Sequence, residues 1–184
     1  MSSSQHQGDE GYTGILGEGR IPKSDPRLEL LGTLDEVSAA LGMVRASGCT
    51  RATSERLQQV QRDLYAMMSE VSSSPEIAGK FRGIDPKRVE WLNQLTENVS
   101  QAVKPPNAFI IPGDTFPGAV LDYARTVTRR AERRMVESYL HGGIENQELL
   151  KYLNRLSLLC FFLELYENQA GGKPEPTLAK SDQE

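Results

Sequence analysis

The chain has 184 residues, a formal net charge of −4 and a sequence pI near 5.4, and 38% of its residues are hydrophobic. This length and composition fit one globular domain with a sizeable core, and the acidic balance argues against a general nucleic-acid binder. Cys49 and Cys160 stand in no CxxC or zinc-ligand spacing, and the sequence shows neither a signal peptide nor an apolar run of about 18 residues, so we expect a soluble cytoplasmic protein with no membrane partner.

Residues 1–24 form a glycine-rich arm. The stretch from Gly8 to Gly19 contains five glycines in twelve residues, which disfavours a helix but lets backbone amides approach an anion closely. Composition alone favours a flexible arm over a phosphate-binding loop, because no strand and helix frame the glycines. Lys23 lies near the end of this arm.

Three amphipathic helices are predicted next. Asp25-Pro26 has the pattern of an N-cap followed by a first-turn proline, and apolar residues recur at spacings of three and four as far as Ser47. A second helix is expected from Thr53 to residue 72, followed by a loop over 75–84. The third begins at Asp85-Pro86 and is stopped by prolines at 105 and 106.

A short apolar segment, Phe109-Ile110-Ile111-Pro112-Gly113, precedes the next helix. It is too short for a core helix and has no evident partner strand. It is either packed loop or a rigid apolar wall beside a ligand.

The helix predicted from Phe116 to His141 carries five arginines in ten residues. Its apolar residues fall on one stripe, which predicts an amphipathic helix with that stripe buried; they are Val120, Ala124, Val127, Ala131 and Met135. Arg125, Arg129 and Glu132 share the opposite side. Two guanidiniums one turn apart suit a polyphosphate, with the carboxylate holding one of them in place, although a solvated basic face is the commoner role for such a helix.

The last helix begins near Asn146 and ends at Gly171-Gly172. It is apolar nearly all round from Leu156, as expected of a central helix or of an oligomer contact. Asn154 and Arg155 interrupt it with polar groups that need partners. Residues 173–184 have the composition of a disordered tail. The predicted total is five long helices in a domain over 25–172, an all-α fold with no convincing sheet.

Four segments, taken together, resemble the PduO-type ATP:cob(I)alamin (corrinoid) adenosyltransferases. The matching stretches are Gly8-Asp9-Glu10-Gly11 with Thr13-Gly14; Arg20 to Arg27 leading into Gly32-Thr33-Leu34-Asp35-Glu36; Phe109 to Gly113 with the arginine helix from Ala124 to Arg134; and Leu153-Asn154-Arg155-Leu156-Ser157. The arginine helix with the downstream Leu-Asn-Arg-Leu-Ser is the specific part, and the order of the segments is kept over residues 8 to about 170.

The resemblance implies a five-helix bundle with ferritin-like up-down packing that assembles as a homotrimer, with active sites between subunits. It also implies a reaction in which the cobalt of cob(I)alamin attacks C5′ of ATP, giving adenosylcobalamin and triphosphate, with Mg²⁺ accompanying the ATP. A corrinoid reductase and an adenosylcobalamin-dependent enzyme are the implied partners.

Residue roles follow from the same resemblance. In the arm, the triphosphate is expected to contact Gln7, Gly8, Asp9, Thr13, Gly14 and Lys23. From the helices, the ATP contacts are expected to be Arg129, Arg130, Glu132, Arg133 and Asn154. Arg125 is expected to pair with Asp35 across the subunit interface, and Phe109 to wall off the lower face of the corrin. No protein metal ligand is implied, because Mg²⁺ is carried by ATP near Glu132.

Two departures from the family pattern keep alternatives open. Gln5, His6 and Gln7 stand where the family has Thr-x-Thr, and Leu158 stands where an Asp is common. A non-catalytic sensor or carrier of nucleotide or adenosylcobalamin is therefore the second hypothesis. The third is a structural bundle whose arginines serve only subunit contacts.

Overall fold

The computed structural model describes residues 8–17 and 19–180. Six α-helices and one two-stranded antiparallel sheet make up the regular structure of this part of the chain. Their bounds are β1 Tyr12–Gly14, β2 Arg20–Pro22, α1 Pro26–Ala46, α2 Arg51–Val71, α3 Pro75–Ala78, α4 Pro86–Gln101, α5 Phe116–Leu140 and α6 Gln147–Ala170. Five of the helices are 16 residues or longer, whereas α3 is a single turn followed by a 3₁₀ turn at Gly79–Phe81.

The predicted helix starts are confirmed wherever a capping side chain precedes the first turn. Asp25, Asp85 and Asn146 each accept a backbone N–H of the following helix. The second helix begins earlier than predicted, because Thr50 rather than Thr53 is its cap. The loop expected over 75–84 is also partly wrong, since Pro75 opens the one-turn helix α3.

Most neighbouring long helices run antiparallel, but α4 runs parallel to α6, since Asn146 contacts Ile84 before the two helices begin and Arg155 contacts Asn93 further along both. Helix α5 packs against α1 and α6, α4 packs against α6, and α1 packs against α2. Ion pairs join Arg130 to Glu36 and Arg134 to Glu29, so α5 and α1 run in opposite directions. Helices α2 and α6 also run in opposite directions. Thr50, at the start of α2, bonds to Glu167 near the end of α6, and Asn146, at the start of α6, bonds to Glu70 near the end of α2.

One continuous hydrophobic core lies between these helices. The predicted apolar stripe of α5 is buried along its whole length, from Val120 to Met135. Helix α6 is buried on several sides through Leu156, Leu159 and Leu163, as its all-round apolar sequence indicates. This burial fixes the opposite, arginine-bearing side of α5 toward the surface.

A buried polar group also ties α2, α4 and α6 together. The hydroxyl of Tyr152 donates to Asp63 at 2.5 Å, and Nε of Arg88 donates to the same carboxylate at 2.8 Å. The Arg88 guanidinium also lies over the ring of Trp91, 3.6 Å from its centroid. With a weaker bond from Gln59 at 3.4 Å, the burial of the Asp63 carboxylate is compensated by three donors.

The expectation of a fold without a sheet is wrong for the arm, where β1 pairs with β2 over three residues. A second pairing was also missed. Ile110 forms an antiparallel bridge with Leu178, so the apolar segment has a partner and the tail expected to be disordered from 173 is bonded to the rest of the protein through residues 177–179. Both pairings join residues that carry no alternating apolar pattern, which is why the sequence did not indicate them.

Candidate functional site

The arginine face of α5 borders two adjoining cavities. Arg125, Arg129 and Arg133 lie one turn apart along this face. Arg129 and Arg133 are exposed and make no hydrogen bond or ion pair with any residue that the structure describes. Unpaired guanidiniums beside a cavity are available to an anionic ligand.

The larger cavity, of about 640 Å³, is an open cleft lined by the segment before α5, by α5 itself and by α6. Its apolar lining comprises Ala108, Phe109, Ile110, Pro112, Leu158 and Phe161. Asp122, Arg125 and Arg129 supply the charged groups on the α5 side. A cavity of this size and character suits a large, mainly apolar ligand with a few polar anchors.

Arg125 is oriented by Asp122 at the wall of this cavity. Two nitrogens of the guanidinium, Nε and Nη2, lie 2.8 and 2.7 Å from Oδ1 of Asp122, one turn away on the same helix. Asp35, the partner predicted from across a subunit interface, is exposed on α1 and makes no hydrogen bond or ion pair among the described residues. Within one chain, therefore, Asp122 fixes Arg125.

Glu164 is close to the Asp122–Arg125 pair, on α6. Its side chain is fully buried, and neither carboxylate oxygen has a hydrogen-bond partner among the described residues. Burial raises the pKa of the Glu164 carboxyl to about 8, and the charge of Asp122 adds to this rise while Arg125 opposes it. At neutral pH Glu164 is therefore mostly a neutral acid.

The smaller cavity, of about 320 Å³, is lined by Arg129, Glu132, Arg133, Val136 and Asn154. Nδ2 of Asn154 donates to Oε1 of Glu132 at 2.8 Å, which joins α6 to α5. Glu132 was expected to hold an arginine, whereas its hydrogen-bond partner here is this amide. The polar groups that interrupt the apolar surface of α6 thus have partners within the chain.

Asn154 is itself held from the other side by Arg155. Nη1 of Arg155 donates to Oδ1 of Asn154 at 2.6 Å, and its Nε donates to Asn93 of α4 at 3.0 Å. With both ends of its amide bonded, the orientation of Asn154 is fixed, with the nitrogen toward Glu132.

Arg129 borders both cavities. A ligand in the large apolar cavity and an anionic ligand in the small polar one would therefore meet at this side chain. Around two cavities that share Arg129, the structure thus brings together these predicted site residues: Phe109, Arg125, Arg129, Glu132, Arg133 and Asn154.

Arg130 lies outside both cavities. Its guanidinium forms an ion pair with Glu36 of α1, and Arg134, one turn further on, forms one with Glu29 at 3.7 Å. Two of the five arginines therefore link α5 to α1 within the chain. This part of the helix shows the commoner, structural use of surface arginines.

The N-terminal arm brings its own predicted residues together. The hairpin sets Thr13 opposite Ile21, and the backbone N–H of Lys23 donates to Gly11 at 2.8 Å. A Cβ atom on Gly8 would lie 3.0 Å from Nζ of Lys23, so the missing side chain lets the ammonium group approach the loop. Gly14 is in β1 and Asp9 is exposed, while Gln7 lies outside the described residues.

The arm is anchored at the end of α2. The N–H of Leu16 donates to Ser72 at 2.9 Å, and the N–H of Ser74 donates to Leu16 at 2.8 Å. None of the described residues of the arm lines either cavity. Within a single chain, therefore, the predicted site residues of the arm are separate from those around the α5 cavities.

Sequence reasoning missed three acidic residues, of which Asp122 lines the larger cavity. Asp122 could have been found from its i,i+3 spacing to Arg125. Asp114 bonds to Thr177, and Glu164 is buried on α6. Neither of these two has a local sequence signal, because each depends on contacts between distant segments.

The described residues lack two further features. They contain no group of three or more His, Cys, Asp or Glu side chains placed to hold a metal ion. Nor does any described helix have the length and apolar character needed to cross a membrane.

A family model described as cobalamin adenosyltransferase matches residues 4–167. The chain belongs to this cobalamin adenosyltransferase family. Among its relatives, the corrinoid adenosyltransferase PduO of Salmonella typhimurium is 34% identical over 169 residues, which are 91% of this chain and 50% of that protein. The human corrinoid adenosyltransferase MMAB is 33% identical over 183 residues, 95% of this chain and 72% of that protein. The chain thus spans about half the length of the PduO proteins that it matches.

Solved structures of the cobalamin adenosyltransferase family superpose closely on this chain. A variant PduO-type ATP:corrinoid adenosyltransferase from Lactobacillus reuteri, complexed with cobalamin and ATP, has a TM-score of 0.87 and 28% identity, covering 96% of this chain and 98% of the other. A second variant of the Lactobacillus reuteri enzyme, complexed with ATP, has a TM-score of 0.85 and 29% identity, covering 96% and 99%.

Proposed function

We propose that this protein transfers the 5′-deoxyadenosyl group of ATP to the cobalt of cob(I)alamin or a related corrinoid, releasing triphosphate and forming adenosylcobalamin. The observation that carries this proposal is the position of Arg129 between a large apolar cavity and a smaller one lined by unpaired arginines. The reaction needs such a pair of adjoining sites, one for a macrocycle and one for a polyphosphate. The complex of the Lactobacillus reuteri relative with cobalamin and ATP supports the same pairing of ligands.

The larger cavity is the proposed corrin site. Apolar side chains such as Phe109, Ile110 and Phe161 exclude water from the corrin face. A lower face covered by Phe109 offers the cobalt no axial donor, and a cobalt without that ligand is easier to reduce to the nucleophilic state. The polar edge formed by Asp122, Arg125 and Ser157 would contact the polar groups at the rim of the macrocycle.

The smaller cavity is the proposed triphosphate site. Arg129 and Arg133 are free to donate to phosphate oxygens in bidentate geometry. In the reaction the cobalt electron pair forms a bond to C5′ while the C5′–O bond breaks, and the electron pair of that bond leaves with triphosphate. Guanidiniums placed where this charge develops lower the barrier. No protein nucleophile is needed, so the chain's contribution is positioning and electrostatics.

Mg²⁺ is proposed to enter with ATP. The residues present fit this role, because Glu132 is the one carboxylate among the described residues that line the smaller cavity, and its other neighbours there are cationic, amide or apolar. A magnesium ion on the triphosphate neutralises part of its charge. Glu132 and Asn154, bonded to each other, would face the nucleotide from that side of the cavity.

The complete site is proposed to lie between subunits of a trimer of five-helix bundles. The unpaired Asp35 supports this, since a neighbouring Arg125 would give it a partner. The arm residues Gly8, Asp9, Thr13, Gly14 and Lys23 are anchored away from the α5 cavities of their own chain, so they would complete the triphosphate site of a neighbour. Arg130 would join that site by exchanging Glu36 for phosphate.

We also propose a cytoplasmic location and two partner enzymes, one that supplies the substrate and one that uses the product. Cob(I)alamin must be supplied by a reductase of corrinoids, and the product is consumed by an enzyme that depends on adenosylcobalamin. Both partners are inferred from the chemistry of the substrate and the product.

An anaerobic assay with chemically reduced cobalamin, ATP and Mg²⁺ tests the function. We expect protein-dependent loss of the cob(I)alamin absorbance and formation of adenosylcobalamin and triphosphate. Tight binding of ATP or adenosylcobalamin without turnover would contradict the proposal and favour a sensor or carrier. An unchanged melting temperature with ATP would favour a purely structural protein, since a ligand of the native state must raise it.

A further inference from the structure

The segment that carries Phe109 has little structure of its own. Between the end of α4 and the start of α5, residues 104–114 form neither helix nor multi-residue strand. Phe109 is 88% exposed, so its ring does not pack into the core. Something other than side-chain burial must therefore fix this wall of the larger cavity.

The backbone of this segment is bonded to the C-terminal residues. The N–H of Ile111 donates to the carbonyl of Thr177 at 2.8 Å, and the N–H of Ala179 donates to the carbonyl of Phe109 at 2.8 Å. Within the described chain these are the backbone–backbone hydrogen bonds in which residues 104–114 take part. Residues 173–179, which we call the strap, thus provide the main-chain support of the wall.

The chain reverses direction to reach this position. After α6 the N–H of Lys173 donates to Asn168 at 2.8 Å, and Gly172 has a φ of +81°, which disfavours residues with a side chain. The strap then returns along the cavity segment and places Leu178 opposite Ile110. Its direction is therefore set by the end of α6.

The side chain of Asp114 fixes the position of the strap relative to the segment before α5. Asp114 accepts two hydrogen bonds from Thr177, one from the backbone N–H at 2.9 Å and one from the hydroxyl at 2.6 Å. These two bonds lower the pKa of the Asp114 carboxyl. Asp114 directly precedes Thr115, the N-cap of α5, so its two bonds to Thr177 connect the strap to the start of the arginine helix.

We propose that the strap positions Phe109 for corrinoid binding, with Asp114 and Thr177 as positioning residues that act through the backbone of residues 109–111. This inference rests on the proposed function in assigning the larger cavity to the corrin. It goes beyond that function in giving the C-terminal residues a role in one of the two ligand sites. The smaller cavity is lined by α5 and α6 alone, so its ligand should not depend on the strap.

Full-length variants can remove the strap bonds one at a time. Ala179→Pro deletes the N–H that bonds Phe109, while proline remains compatible with extended backbone at this edge. Lys180→Pro is the matched control, because it adds the same residue one position beyond the strap. Asp114→Ala removes both hydrogen bonds between Asp114 and Thr177, and Thr177→Val removes the hydroxyl bond alone.

The primary measurement is the anaerobic dissociation constant of cob(II)alamin in the presence of ATP, alongside that of ATP alone. We expect Ala179→Pro and Asp114→Ala to weaken corrinoid binding at least fivefold, Thr177→Val to weaken it less, and Lys180→Pro to leave it unchanged. ATP binding should be the same in all of these variants. The visible spectrum of bound cob(II)alamin should shift in the first two toward that of cobalt with a lower axial ligand.

Corrinoid binding that stays unchanged in Ala179→Pro and Asp114→Ala would overturn the inference, as would an equal loss of ATP binding. If the wild-type protein binds corrinoid without turnover, the proposed function fails while the binding test of the strap stands. If the wild-type protein binds no corrinoid, hydrogen exchange of the Ile111 amide tests whether the strap supports the wall of the larger cavity. Faster exchange of the Ile111 amide in Asp114→Ala supports the strap as a support of the wall, and equal exchange contradicts it.

Discussion

The side-chain amide of Asn154 donates a 2.8 Å hydrogen bond to the carboxylate of Glu132, joining α6 to α5 at the cavity that contains the unpaired Arg129 and Arg133. Arg155 holds the other end of the same amide. The carboxylate is thereby directed to a side chain of α6 and leaves both arginines free for a ligand.

Asn154→Ala should therefore impair ATP use specifically. Without the amide, Glu132 has no hydrogen-bond partner and can pair with Arg129 or Arg133 in competition with the triphosphate. We expect the KM for ATP to rise at least tenfold with a smaller change in the KM for the corrinoid, measured by steady-state kinetics with each substrate varied. Asn98→Ala, at an exposed position of α4, is the control. An unchanged KM for ATP would show that this amide does not organise the nucleotide site.

Glu164→Gln should stabilise the protein more as the pH rises. The folded-state pKa of about 8 exceeds the usual 4.5, so between these values the folded protein retains a proton that the unfolded chain has lost. The free energy of unfolding therefore falls as pH rises through this window, by an amount on the order of a few kcal/mol. Glutamine removes the titration and keeps the size of the neutral acid.

The melting temperature of Glu164→Gln relative to wild type, compared at pH 5 and pH 9, checks this prediction. We expect a gain that is larger at pH 9 by several degrees, and no such pH dependence for Glu145→Gln, which alters an exposed carboxylate. The same difference at both pH values would mean that Glu164 titrates alike in the folded and unfolded states.

Tyr152→Phe should destabilise the fold through Asp63. The variant removes the 2.5 Å hydrogen bond to a buried carboxylate and leaves Arg88 as its main donor. Such a loss costs about 1–3 kcal/mol, which lowers the melting temperature of a chain of this length by several degrees. Tyr65→Phe, at a largely exposed position, should have almost no effect. Equal melting temperatures for the two variants would contradict the assigned role.

The same tyrosine should resist ionisation. Burial, together with the charge of Asp63, raises the pKa of Tyr152 well above its usual value of 10.0. In a spectroscopic titration at alkaline pH, we expect the phenolate signal of wild type and Tyr152→Phe to be the same until the protein unfolds.

The long helices could be predicted closely from the sequence because their signals are local. Asp25-Pro26 and Asp85-Pro86 mark helix starts with a cap and a proline, and the stripe from Val120 to Met135 has the helical period. The arginine face follows from that stripe, since burying one side of a helix exposes the other.

The parts that were missed depend on contacts between distant residues. The hairpin of the arm has three-residue strands in a glycine-rich stretch, and the strap pairs residues about 68 positions apart, so neither leaves a periodic pattern. The contact of Arg130 with Glu36 was missed for a similar reason, whereas Asp122 has a local signal in its spacing to Arg125. The pairing of Arg125 with Asp35 across a subunit interface stays a prediction.

The most direct test of the account is the rate of adenosylcobalamin formation by Arg129→Ala, compared with Arg134→Ala under anaerobic conditions. Arg129 borders both cavities, whereas Arg134 is bonded to Glu29 and Glu137 outside them. We predict that Arg129→Ala loses at least tenfold in turnover with an unchanged melting temperature and oligomeric state, and that Arg134→Ala stays close to wild type. Equal turnover in the two variants would contradict the claim that the two cavities form one site joined at Arg129.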